Sequence, residues 1–100
     1  MRALVIARLT SPLPLEHQHE IVDRFEEWRA KYREQMEDFE FFISNGGCAI
    51  AKVADEVELK QIMLEYPLLT WSEIEVEPVV DGDIALAQWR KALEAQPVPA

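Results

Sequence analysis

Cysteine, glycine and positive charge are all scarce in this 100-residue chain, and each shortage excludes something. The one cysteine, Cys48, rules out an internal disulfide and suits a reducing compartment. Three glycines and 49% hydrophobic residues argue against a flexible, low-complexity chain and for one modest core. Ten Lys and Arg stand against nineteen Asp and Glu, a formal charge of −9. Nucleic acids are bound by clustered cations that displace counterions, so this balance excludes a nucleic-acid partner and disfavours anionic membranes. The opening run Ala3-Leu4-Val5-Ile6-Ala7 lies between Arg2 and Arg8, too short to span a bilayer, and no small-residue cleavage site follows it. It reads as a strand, and the expected location is cytoplasmic.

What is present is periodic. Residues 2–10 are rich in Leu, Val and Ile and predict a strand, ended by Ser11-Pro12-Leu13-Pro14 because proline cannot donate to a ladder. Val22, Phe25, Trp28, Tyr32 and Met36 recur at spacings of three and four and predict a long helix from Leu15 to Met36. Its acidic first half and basic second half complement the helix dipole. Phe39 to Ile43 and Cys48 to Val53 flank Ser44-Asn45-Gly46-Gly47 and predict a β-hairpin. Asp55 followed by Glu58 resembles a capping box, opening a helix that runs through Leu59, Ile62, Met63 and Tyr66 to Pro67. From Trp71 to Val80 alternation returns, with Ile74 and Val76 on one face and Glu73, Glu75 and Glu77 on the other. After the break at Asp81-Gly82-Asp83, a short helix from Ile84 to Leu93 carries Leu86, Trp89 and Leu93 on one side. The proline-rich end, residues 97–100, is expected to fray.

The order strand–helix–strand–strand–helix–strand predicts an α+β, ferredoxin-like βαββαβ domain spanning residues 1–100, with a four-stranded antiparallel sheet. Both helices then cover one sheet face. The other face is too apolar to be solvated and is expected to meet the sheet of a second copy, giving a homodimer or higher homo-oligomer. Residues 81–96 form a helical arm with little local chain to cover it, expected to pack on a neighbouring subunit through Trp89.

The run Leu59-Lys60-Gln61-Ile62-Met63-Leu64-Glu65-Tyr66-Pro67-Leu68-Leu69-Thr70-Trp71-Ser72-Glu73-Ile74-Glu75-Val76-Glu77-Pro78 resembles the corresponding segment of muconolactone delta-isomerases. In that family a helix ends in a Leu-Pro-Leu-like turn and an Ile-Glu-Val-like strand follows. The early Leu13-Pro14 turn and the chain length agree. The resemblance implies a dimeric α/β barrel and a cofactor-free, isomerase-like enzyme that shifts a proton on a small organic molecule. Where those isomerases carry a Trp- and Arg-rich second strand, this chain reads Glu37-Asp38-Phe39-Glu40-Phe41-Phe42-Ile43, without an arginine. An anion clamp needs Arg or Lys donors, so a neutral, fairly apolar ligand is expected.

Candidate catalytic residues are Glu75, His17, His19 and Arg8. Histidine titrates near neutrality and suits a proton shuttle, although solvated helix-start histidines are the commoner case. Their i, i+2 spacing puts them on different helix faces, and His19 with Asp23 gives too few ligands, so no metal is expected. Glu75 between Glu73 and Glu77 is a base candidate; ion pairing with Arg2 and Arg8 of the adjoining first strand is the expected alternative. Glu40 shares that ambiguity. Trp28, Tyr32, Phe41, Phe42, Tyr66 and Trp71 are candidates to line a substrate pocket, and each could equally be core. A non-catalytic small-ligand-binding or assembly protein, and a cofactor-free monooxygenase, are the alternative readings of the same fold.

Overall fold

A computed structural model describes residues 1–96; the predicted frayed end, residues 97–100, lies outside the described residues. The elements are β1 (Arg2–Leu9), a 3-10 turn (Leu15–His17), α1 (Gln18–Lys31), β2 (Met36–Phe41), β3 (Gly46–Lys52), α2 (Glu56–Leu64), a second 3-10 turn (Leu69–Trp71), β4 (Ser72–Pro78) and α3 (Gly82–Ala95). The sheet order is β2-β3-β1-β4 with every pairing antiparallel. This is the ferredoxin-like α+β arrangement expected from the sequence, with α3 appended.

Pleating decides what each sheet face presents. Ala3, Val5 and Ala7 of β1 and Ala49 and Ala51 of β3 are buried, and so lie on the helix-covered face. They are joined by Ile21 and Trp28 from α1 and by Leu59, Ile62 and Met63 from α2. The Trp28 indole N–H donates to the Ile62 carbonyl at 3.0 Å, tying the two helices together inside the core. On the other face, Leu4, Ile6, Cys48 and Ile50 stand half-buried on the central strands.

The helices differ in detail from those the sequence predicts, most of all at the end of α1. α1 stops at Lys31, not Met36: Tyr32 leaves helical geometry, a four-residue turn follows, and Met36 opens β2 with only 2% of its surface exposed. Val22 belongs to the exposed side of α1, and Ile21 takes the core position in its stead. At α2 the expected capping arrangement forms, with the Asp55 carboxylate accepting from the Glu58 N–H at 2.9 Å while Glu58 accepts from the Ala54 N–H at 3.1 Å. α3 is capped likewise by Asp81, which accepts from the Asp83 and Ile84 N–H groups.

β2 contains an irregularity that shapes the molecule. Glu37 pairs with Ile50 and Glu40 with Cys48, so two residues of β2 oppose one of β3. Asp38, with φ 49°, is the only described non-glycine residue in the left-handed region. This bulge shifts the alternation by one. Met36 before it and Phe41 after it therefore face the helices together, opposite Ala51 and Gly47. Glu37 and Glu40 turn to the open face, opposite Ile50 and Cys48. At the following turn, Gly46 has φ 129°, and a Cβ there would strike the backbone of Ala7; a side chain is excluded on both counts.

Left-handed backbone is least costly for glycine and most costly for a β-branched residue. Asp38→Gly is therefore expected to leave stability unchanged or raise it by up to about 1 kcal/mol, and Asp38→Val to lower it by about 1–3 kcal/mol. Urea unfolding of the two variants checks both signs.

Candidate functional site

A cleft of about 740 Å³ opens between α1 and one end of the sheet. Its floor comes from Ala7 and Leu9 of β1 and from Gly46; Ala7 and Gly46 leave space where a larger side chain would fill it. Its walls are Ile21 and Phe25 of α1, Phe39 and Phe41 of β2, Phe42, and Tyr66 and Leu68 of the segment after α2. Glu26, Arg29, Arg33, Ser44, Asn45 and Ser72 supply the polar lining.

The aromatic wall is one connected cluster around Phe25. Its ring lies 5.7 Å from Trp28, 5.6 Å from Phe39, 5.8 Å from Phe41 and 5.5 Å from Tyr66, centroid to centroid. Trp28 and Tyr66 meet edge-on at 5.1 Å, as do Phe39 and Phe41. Edge-to-face contacts of this kind are worth about 0.5–1.5 kcal/mol each beyond area burial, and they fix the ring planes. The bulge at Asp38 brings Phe39 and Phe41 to this wall.

Two arginines stand at the cleft. Arg29 is engaged: its guanidinium donates to the Met36 carbonyl and lies 4.9 Å from the centre of the Phe39 ring. Partial burial, and then repulsion from Arg33, lower its pKa. Arg33, in the turn after α1, is exposed and forms no ion pair among the described residues. The sequence reading looked for arginine in the second strand and, finding none, expected a neutral ligand. α1 and the turn after it nevertheless bring two cations to the same cleft. Their signal was present in the chain. Ile21, Phe25, Trp28 and Tyr32 repeat at 4, 3 and 4, and Val22, Glu26, Arg29 and Arg33 repeat identically one residue on. That second row lies about 100° around the helix, at the edge of the core stripe.

Tyr66 is 9% exposed, and its phenolic hydroxyl has no hydrogen-bond partner among the described residues. Burial pushes its pKa up to about 12. At neutral pH it is a neutral phenol, a donor available to an oxygen of whatever occupies the cleft.

Of the ten residues singled out from sequence, Phe41, Phe42 and Tyr66 line this cleft. Trp28 is buried behind it in the core, and Trp71 is half-buried against that core in the second 3-10 turn. Tyr32 turns away, donating its hydroxyl to Glu65, which also accepts from Lys31 at 2.8 Å. His17 and His19 are exposed at the start of α1, outside the cleft, with His17 Nδ1 3.9 Å from Glu20. Glu75 is exposed opposite Ile6, on the sheet face away from the cleft. β1 and β4 are neighbours as expected, with Arg8 directly opposite Glu73. Among the described residues the expected ion pairs of Arg2 and Arg8 with the β4 carboxylates do not form. Arg8 instead lies 5.2 Å from the centre of the Phe42 ring, which offers a cation its negative face. The four catalytic candidates are thus not brought together. Glu40 is likewise exposed on the open face.

Among the described residues, no group of three or more His, Cys, Asp or Glu side chains is placed to hold a metal ion, and no helix is long and apolar enough to cross a membrane.

The pKa of Tyr66 makes a linkage prediction. A phenol held protonated in the native state contributes stability that is complete below pH ~10 and is lost as pH rises toward 12. Tyr66→Phe is expected to remove the tyrosinate absorbance that appears near pH 12 and to flatten the fall in stability over that window. Ultraviolet titration and thermal melts across alkaline pH measure the two effects.

No protein-family model matches the chain, and no curated protein matches it by sequence. Solved structures do match its shape. Muconolactone isomerase superposes with a TM-score of 0.70 at 15% identity, covering 81% of this chain and 90% of that one. The 5-chloro-2-hydroxyhydroquinone dehydrochlorinase TftG of Burkholderia phenoliruptrix AC1100, in complex with 2,5-dihydroxybenzoquinone, superposes with a TM-score of 0.69 at 12% identity, covering 84% and 98%. The resemblance first carried by residues 59–78 therefore holds over most of the domain, and the chain has the fold of muconolactone isomerase.

Proposed function

We propose that the cleft binds a small, unsaturated organic acid and shifts a proton on it, an isomerase-like reaction needing no cofactor. The observation that carries this reading is one row of α1 and its following turn. Along that row Glu26, Arg29 and Arg33 line a largely apolar cleft, so a carboxylate, two guanidinium groups and an apolar wall share one surface. A flat, apolar ligand body lies against Phe25, Phe39 and Phe41, and its anionic group meets Arg33, the guanidinium left unpaired. Among the described residues Glu26 is the only carboxylate lining the cleft, and it acts as the base, taking a proton from carbon and returning it at another carbon. The Tyr66 hydroxyl donates to the oxygen on which negative charge develops. Atoms balance, since the proton removed is the proton replaced.

The fold comparison supports a small-molecule enzyme, because one neighbour is an isomerase and the other a dehydrochlorinase holding a benzoquinone. The same reading carries a homodimer joined through the open sheet face and acting in the cytoplasm. Its apolar centre of Leu4, Ile6, Cys48 and Ile50 supports that pairing.

The test is exchange of substrate protons with deuterated solvent, followed by NMR over a panel of unsaturated lactone acids and hydroxyquinones. Glu26→Gln is expected to lower kcat by about 10²–10⁴ with KM little changed. Arg33→Ala is expected to raise KM roughly tenfold or more. Binding without exchange by the unaltered protein would establish a carrier and remove the catalytic reading; full turnover by Glu26→Gln would remove that residue as the base.

A further inference from the structure

The cleft is long, and its polar residues are divided between its two ends. Arg29 and Arg33 stand where β2 begins, since Arg29 donates to the Met36 carbonyl. Ser44, Asn45 and Ser72 stand where β1 runs out: Ser72 lies opposite Leu9, and Gly46, next to Asn45, lies opposite Arg8. Two elements measure the span between these ends. β2 runs along the cleft from Met36 to Phe41, roughly 15 Å at the rise of a strand. On the facing wall Val22 and Arg29 are about two turns of α1 apart, roughly 10 Å, and Arg33 follows a further turn on.

The middle of the cleft is apolar, with Ala7 on the floor and Phe25, Phe39 and Phe41 on the walls. Its volume of about 740 Å³ lies in the upper part of the range of roughly 300–1,000 Å³ that holds drug-sized ligands, well beyond what a single ring fills. Charge is confined to one end. Among the described residues the lining near β1's end is neutral, and Phe41 and Val22 there are 67% and 52% exposed. A one-ring acid held at Arg33 would leave that apolar surface in water. A longer flat body would cover it.

We infer that the cleft takes a linear aromatic acid of two or three fused rings, its carboxylate at Arg33 and a neutral oxygen substituent at the far end. The ligand class rests on the reading of the cleft as a binding site, not on the chemistry proposed there. Cations at one end only fix which way the molecule enters, because the unpaired guanidinium offers the carboxylate a charge-assisted pair. Phe25, Phe39 and Phe41 take the rings, and the span between the ends selects their number. Ser44, Asn45 and Ser72 suit a hydroxyl or carbonyl oxygen, whereas a second carboxylate there would lose its water without gaining a cation.

NMR titration of the full-length protein with benzoate, naphthalene-2-carboxylate and anthracene-2-carboxylate reads the length. Kd is expected to fall roughly tenfold with each added ring. Anthracene-9-carboxylate has the same composition but carries its acid on the long side, and is expected to bind roughly tenfold more weakly than the 2-isomer. Arg33→Ala is expected to weaken every member by a similar factor. Val22→Trp and, at the exposed hairpin tip, Ser44→Trp each shorten the cleft from its neutral end. Either is expected to weaken anthracene-2-carboxylate roughly tenfold and to leave benzoate unchanged. At the far end, 6-hydroxynaphthalene-2-carboxylate is expected to bind more tightly than naphthalene-2,6-dicarboxylate. Equal affinity for the two anthracene isomers, an equal effect of the Trp variants on benzoate, or preference for the dicarboxylate would overturn the inference. Proton exchange on one-ring lactone acids without binding of the fused-ring series would overturn it too, and leave the proposed chemistry standing. Binding of the series in the expected order without exchange would support it and remove that chemistry.

Discussion

One extra residue in β2 organises this molecule. Without the bulge at Asp38, strict alternation would set Met36 and Phe41 on opposite faces of the sheet. The core would then lose either its most deeply buried methionine or the cleft its outer aromatic wall. With the bulge, Met36 seals the core beneath Trp28, and Phe39 and Phe41 continue the same face outward as the wall of the cleft. The backbone strain at φ 49° is thus compensated on the face where the aromatic contacts of Phe25 form.

The same shift sorts charge. A chain with nineteen acidic residues would be expected to place some of them in any cleft it forms, which would repel an anionic ligand. The bulge sends Glu37 and Glu40 to the open face, and pleating sends Glu73, Glu75 and Glu77 there as well. The cleft keeps one carboxylate, Glu26, and receives two guanidinium groups from α1 and its turn. A protein of strongly negative net charge therefore presents a locally cationic mouth. Net charge is a long-range property, whereas the potential at the mouth of the cleft is settled by a few side chains.

Architecture was legible in the sequence because it rests on periodicity: the order of elements, the Asp55 cap and the terminal helix all follow from spacing and turn chemistry. The end of α1 was not, because Met36 continues the helical stripe in register while belonging to the next strand. No local feature separates those roles; burial against Ala51 decides between them. The site was legible only in its apolar half. Phe41, Phe42 and Tyr66 were found by residue type, which is how apolar walls are recognised. Glu26, Arg29 and Arg33 were passed over because charged residues on a helix are ordinarily its solvated side. They are distinguished only by lying one residue out of phase with the core stripe. Glu75 and the histidines drew attention as isolated chemical groups, and three-dimensional structure disperses them.

Small residues explain why a chain of this size retains a cleft at all. Along β1 and β3 the helix-facing positions Ala3, Val5, Ala7, Gly47, Ala49 and Ala51 are valine or smaller, with Leu9 at the cleft end of β1 the one larger residue. Against such a floor, volume must come from the helices and from β2. Toward one end Trp28, Met36, Ile62 and Met63 supply it, and the space closes into core. Toward the other, α1 offers Phe25 and then charged residues that cannot be buried without partners, so the space stays open. The boundary between core and cleft is therefore set where one helix row changes from apolar to ionic. Tyr66 sits on that boundary, its ring packed against Trp28 and Phe25 and its hydroxyl without a partner in the protein. A phenylalanine would pack there as well. The hydroxyl is the part that the core does not use.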